Sequence, residues 1–385
     1  MLAIGLTLAL RLGLGIVMGA AWAVARPTVA GLVPAGTYGE LSMPESPFGE
    51  LALGVWVRWD AVQHLNLALR GYLDMGQGST VFFPLYAGLT GGLGRLLGGN
   101  YILAGLTVST LATALALLLL IQLGSDLFGL SSGRWAAVAL AVYPTAVFLI
   151  APFTESLFLA LTLGAFLAAY RARWILTAIL AFMASLTRGP GMAAAASFAV
   201  LGWWQWKHGL PSGRRPSLLA IGAAVLAPLA GGAAFLAWRS FAGFPPLLDV
   251  LNEYVGTSVV DPVSGVALAI GQWIRVHDLP TTTDLVSAFV FLGITAAMAT
   301  QARWRRPELL AYMAFSLVAL LGRHTVGAAA LKSLSRYVLV LFPAFLVVGD
   351  WLASARPQAR FAYLAVSGSL LILASILYAL WFFLG

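Results

Sequence analysis

Eleven apolar runs punctuate this chain, and they leave it little freedom of fold. They lie near residues 2–25, 101–123, 134–152, 155–171, 174–189, 190–206, 217–239, 284–302, 308–322, 336–353 and 361–384. Hydrocarbon about 30 Å thick is crossed at about 1.5 Å per helical residue. A backbone without water must satisfy its polar groups internally, so runs of this length become helices. Composition agrees: 61% of the 385 residues are hydrophobic, only 9% are charged, and the mean hydropathy is +0.91. The expected fold is all-α, a polytopic integral membrane protein in one domain over 1–385, with about eleven transmembrane helices plus juxtamembrane helices at the outer face. Residues 2–25 show no small-residue cleavage pattern and read as a retained first span. Cysteine is absent, which excludes disulfides, thiolate metal sites and cysteine nucleophiles.

The stretch 82–99 decides the orientation. It is short, carries Arg95 and has six glycines, so it reads as a re-entrant or interfacial helix on the outer face. The N-terminus is then inside, and the inner loops hold Arg134, Arg171, Arg173, Lys207, Arg214, Arg215, Arg303, Arg305, Arg306, Arg356 and Arg360 against only Asp126, Glu308 and Asp350. That asymmetry obeys the positive-inside rule; counting 82–99 as a span would reverse it. Two large outer segments follow, 26–100 and 240–283, and long loops in a compact membrane protein are usually functional.

The first of these reads RWDAVQHLNLALRGY at 58–72. A short helix there puts Asp60, Gln63 and His64 on one face at i, i+3 and i+4, with Trp59, Val62 and Leu69 elsewhere. The plain alternative is that Asp60 only caps that helix. Further motifs are VFFPLY at 81–86, YPTAVFLIAPFTESLF at 143–158, SLTRGPG at 185–191 and, more loosely, SLSRYVLVLFP at 333–343. Together they resemble the GPI mannosyltransferase II (PIG-V-like) family and its prokaryotic relatives, in the GT-C class of polyprenyl-phosphate-sugar-dependent glycosyltransferases. The resemblance implies a GT-C type fold and an inverting transfer, of mannose, from a polyprenyl-phosphate donor, with Asp60 as catalytic base. This chain departs from the family where a histidine or aromatic residue often stands three positions after the aspartate: it has Gln63 there and His64 one place later.

Such a transfer needs one carboxylate to take the acceptor's proton. The phosphate leaving group needs positive charge rather than a second acid. Arg323, His324, Lys332 and Arg336, with Tyr337, gather at the outer end of two spans and break the positive-inside trend, which makes them candidates for the donor phosphate; snorkelling towards lipid headgroups is the alternative. Arg336 leads because an arginine entering an apolar helix is costly unless partnered. Glu155 and Arg188 are expected to line one outer cavity, as substrate contacts or as a structural pair, with Arg58, Gln63 and His64 also lining the site. No cofactor is required; a divalent metal between Glu155 and Asp60 is conceivable, but no motif indicates one. The expected partners are the polyprenyl-phosphate sugar donor, a lipid or glycan acceptor and membrane lipids, with no nucleic acid, because the basic residues are dispersed. The expected location is the plasma membrane of a prokaryote, with the active site facing outside. A flippase or transporter of lipid-linked sugars is the rival reading, with Arg11 in the middle of the first run as its best support; a pseudoenzyme is a further one.

Overall fold

The computed structural model describes every residue except 30–32, 35, 211–212, 214 and 383–385, and the side chains of 27 and 29. Arg214, one of the expected inner basic residues, lies outside the described residues. The chain is almost wholly helical and divides into two compact units, Met1–Leu157 with Val348–Gly385, and Phe158–Val347.

Among the described residues, five helices are long and apolar enough to cross a membrane: Leu2–Arg26, Tyr101–Phe128, Leu218–Phe241, Leu279–Thr300 and Pro357–Ala379. Shorter apolar helices occupy Glu155–Tyr170, Trp174–Ser185 and Pro307–Leu321. Two expected runs take another form. The run 134–152 breaks into helices Leu130–Ala141 and Val147–Ile150 across a turn containing Pro144. The run 336–353 is bent by 77° between Leu334–Val340 and Phe342–Ser354, where Pro343 removes a backbone donor and restricts the residue before it. The stretch 82–99 forms the 13-residue helix Pro84–Leu96, about 20 Å at 1.5 Å per residue and too short to span.

In the first unit the Pro357–Ala379 helix packs on Gly15–Val29, and Tyr101–Phe128 packs on Leu130–Ala141. A Cβ on Gly349 would run into the Ala136 backbone, so glycine allows that close helix crossing. Six residues of the first span, Ala9–Leu14, widen into a π-helical turn containing Arg11. The Arg11 guanidinium donates to the Leu106 carbonyl at 3.1 Å and to Thr110 Oγ1 at 2.6 Å, and lies 4.5 Å from the Trp56 ring centroid. Those partners offset part of the cost of a charge in an apolar helix.

The second unit is held by the rings of Phe166, Phe198, Tyr312 and Phe342, with centroids 4.9 to 5.5 Å apart. Tyr170 donates to Glu308 Oε1 at 2.6 Å. Residues 240–283 of this unit form helices Leu247–Val255 and Pro262–Val276 around the strand Thr257–Val259, which pairs antiparallel with Arg323–Thr325.

Candidate active site

In the first unit the chain enters the Asp60–Arg70 helix through Trp59, whose φ of 53° and ψ of −128° are rarely adopted by a residue with a side chain. Such a conformation costs on the order of 1–3 kcal/mol and persists where the surroundings over-determine it. Here they do. Arg58, only 1% exposed, donates from Nε to the Ala379 carbonyl at 2.9 Å and from Nη1 to the carbonyls of Gly54 and Val57 at 2.7 and 3.1 Å. Its guanidinium carbon lies 4.7 Å from the Trp22 ring centroid and 5.1 Å from that of Trp381. Burial pushes its pKa down, opposed by Tyr38, Tyr378 and Glu50. Tyr378 donates to the Trp56 carbonyl at 2.7 Å, and the Trp59 ring meets Trp381 edge-on at 5.6 Å.

Asp60 is therefore the first helical residue rather than the cap. The cap position belongs to Trp59, which makes no side-chain cap bond. A carboxylate in the first turn meets the favourable end of the helix dipole. Asp60 is partly exposed and Gln63 exposed; Gln63 Oε1 accepts from the Ser79 hydroxyl at 3.3 Å. His64 turns away from them: it is buried, with its ring edge-on to Phe82, Tyr86 and Phe153 at 4.7, 5.5 and 6.1 Å. Those contacts seat the 151–154 bend beside the Asp60–Arg70 helix. Glu155, two residues beyond Phe153, is wholly buried and acts electrostatically on Tyr86.

In the second unit the loop after Leu321 is fastened at several points. Thr257 Oγ1 and Thr325 Oγ1 are 3.0 Å apart, and Gln272 bridges the Ala328 carbonyl at 3.1 Å and the Ala330 amide at 2.9 Å. A Cβ on Gly265 would collide with the Leu321 carbonyl. The loop ends at Ser333, another non-glycine residue with positive φ, at 68°, and leads into the short helix Leu334–Tyr337.

Here three guanidinium carbons surround one ring. Arg336, Arg188 and Arg323 lie 4.7, 4.8 and 5.0 Å from the Tyr337 centroid. Arg336 is 4% exposed and its Nη2 donates to the Tyr337 hydroxyl at 3.0 Å. Two unit charges about 8 Å apart repel by about 2 kcal/mol at a surface-like dielectric, whereas each cation–π contact returns about 0.5–2 kcal/mol. An anion among the three converts repulsion into attraction. Arg188 reaches this ring from extended backbone before the 3-10 turn Gly189–Ala193. His324 lies half-buried on the strand and Lys332 half-buried in the turn before Ser333. Glu155 and Arg188 belong to different units.

Three acids of residues 240–283 stand at helix starts. Asp249 stands in the first turn of Leu247–Val255. Asp261 and Asp278 accept the amides of Ser264 and Thr281 at 2.9 and 2.7 Å. The Ser264 hydroxyl and amide hold the Asp261 carboxyl below the usual carboxylate range. One buried acid escaped the sequence reading: Asp284, 1% exposed, accepts the Ser335 amide beside Arg336 at 2.8 Å. The available signal was an acid in an apolar helix, the same argument that singled out Arg336. Among the described residues, no group of three or more His, Asp or Glu is arranged to hold a metal ion.

No family model matches this chain, and no curated protein does. Among solved structures it is similar to ArnT from Cupriavidus metallidurans bound to undecaprenyl phosphate, at 15% identity over 88% of this chain and 76% of that one, with a TM-score of 0.50. The Archaeoglobus fulgidus oligosaccharyltransferase aligns at 16% identity over 79% of this chain and 44% of that one, with a TM-score of 0.41, too low to carry an argument. The likeness to ArnT establishes the architecture: this is a multi-pass helical membrane protein with the GT-C type fold.

Proposed function

We propose that the protein is an inverting glycosyltransferase that takes a sugar from a polyprenyl-phosphate donor and gives it to a hydroxyl of a lipid-linked or glycan acceptor. The observation that carries this reading is the ring of Arg188, Arg323 and Arg336 around Tyr337, in a chain with the fold of a protein crystallised with a polyprenyl phosphate. In the reaction the acceptor oxygen bonds to the anomeric carbon and its proton passes to Asp60. The bond from that carbon to phosphate oxygen breaks, and the phosphate leaves with the electron pair. The guanidinium groups hold that phosphate in the bound donor and go on neutralising it as its charge grows. Arg336 is the first candidate for this contact, with Arg188 and Arg323 beside it and Lys332 and His324 as outer members.

Mannose as the sugar, membership of the PIG-V-like family and an active site at the outer face of a prokaryotic plasma membrane rest on the sequence motifs and the charge asymmetry of the loops. The flippase reading leans on Arg11, but its bonds to Thr110 and the Leu106 carbonyl give that charge a structural role. The deciding experiment incubates purified protein with polyprenyl-phosphate mannose and total membrane lipids, comparing wild type with Asp60→Asn. Transfer by the wild type alone is expected. Equal transfer by both removes the base assignment, and transfer only from another polyprenyl-linked sugar replaces mannose.

A further inference from the structure

A carboxylate buried in an apolar helix is strongly disfavoured unless it does something there. Asp284 lies in the second turn of Leu279–Thr300 and is 1% exposed. Its Oδ1 accepts the Ser335 amide at 2.8 Å, and the Ser335 side chain, the Leu334 backbone and Arg336 also act on the carboxyl. The segment it reaches has little stability of its own. Leu334–Tyr337 is four residues long, too short to recover the cost of helix nucleation. It follows Ser333, held with φ at 68° and without a side-chain cap bond. The Ser335 amide is one of the donors that a helix start leaves unsatisfied, and the carboxylate that satisfies it comes from another helix.

We propose that Asp284 is a positioning residue: by holding the Ser335 amide it fixes the turn that presents Arg336 and Tyr337, and so sets the guanidinium cluster that binds the donor. The donor part rests on the function proposed above; the contact and the order it imposes do not. Asparagine keeps an acceptor oxygen at the same place and discards the charge, whereas leucine fills the volume and removes both. The hydrogen bond is the working element, so the two substitutions separate.

The test compares wild type, Asp284→Asn and Asp284→Leu in lipid nanodiscs by three measurements: hydrogen exchange of the peptide spanning 331–341, the rate at which phenylglyoxal modifies Arg336, and KM for donor and acceptor separately. The leucine variant is expected to exchange that peptide and modify Arg336 roughly 10-fold faster, as the loss of one buried hydrogen bond implies. Its donor KM should rise by a similar factor with acceptor KM unchanged, and asparagine should restore most of each. Unchanged exchange at 331–341 overturns the proposal, as does loosening spread evenly over the protein, or an asparagine variant as impaired as leucine. Equal rises in both KM values overturn it too. If the wild type transfers no sugar from any polyprenyl phosphate, the proposed function fails, and exchange with Arg336 modification still decides the role of Asp284.

Discussion

Asp60 and Arg336 each follow closely on a non-glycine residue of positive φ, Trp59 at 53° and Ser333 at 68°, yet the two turns are secured differently. The Asp60 turn is tied through main-chain carbonyls by Arg58 and Tyr378, whose side chains are consumed in the effort. Asp60 itself is left partly exposed. The Arg336 turn receives the Asp284 carboxylate at its Ser335 amide, and Arg336 is buried with Arg188 and Arg323 near the same ring. The difference suits the roles proposed above for the two residues. A base has to reach a mobile hydroxyl, whereas a phosphate seat gains most where water is excluded and charges act through a low dielectric.

The comparison breaks first at Asp60. Asp60→Asn should lower kcat by roughly 10²–10⁴-fold, the usual worth of a general base, while donor binding survives; kinetics with radiolabelled donor check this, and a weakened donor affinity would move Asp60 to the phosphate side. Next, Arg336→Lys should raise donor KM by roughly 10–100-fold, because lysine lacks the planar fork that grips phosphate from two directions. A change in kcat alone would count against a ground-state phosphate contact. Tyr378→Phe removes one buried hydrogen bond, worth about 1 kcal/mol. It should lower kcat a few-fold and leave donor KM unaltered, which steady-state kinetics with both substrates varied will show.

The smallest effect concerns Asp261 and pH. Its pKa is depressed on folding, so its cap is in full effect above the unfolded value of about 3.9 and is lost as pH falls through the folded value. Hydrogen-exchange protection at 263–265, taken relative to the intrinsic rate at each pH, should therefore fall only in that acid range, and Asp261→Asn should abolish that fall. The Asp60 turn, held by groups that do not titrate there, should show no such change.

Much of this was open to reading in the sequence, for identifiable reasons. Long apolar runs declare helices because a membrane allows the backbone little else. Arg336 stood out as a charge entering one of those runs. Asp284 obeyed the same logic but sat at the expected boundary of a span, where an acid looks ordinary. The 77° bend before Phe342–Ser354 was hidden by unbroken hydrophobicity, with Pro343 as its only mark. The backbone at Trp59 and Ser333 had no signal at all, since neither is the glycine that usually announces positive φ. Nor did Arg58 reveal its role, because its partners are carbonyls, which every residue has, and one of them belongs to Ala379.

That last bond also imposes an order of assembly. The Arg58 side chain waits for a carbonyl 321 positions later in the chain, which at 5–20 residues per second emerges on the order of tens of seconds afterwards. Until the Pro357–Ala379 helix has been made and has joined its unit, the turn before Asp60 lacks this fastening, so the geometry around Asp60 is completed late rather than as that turn emerges.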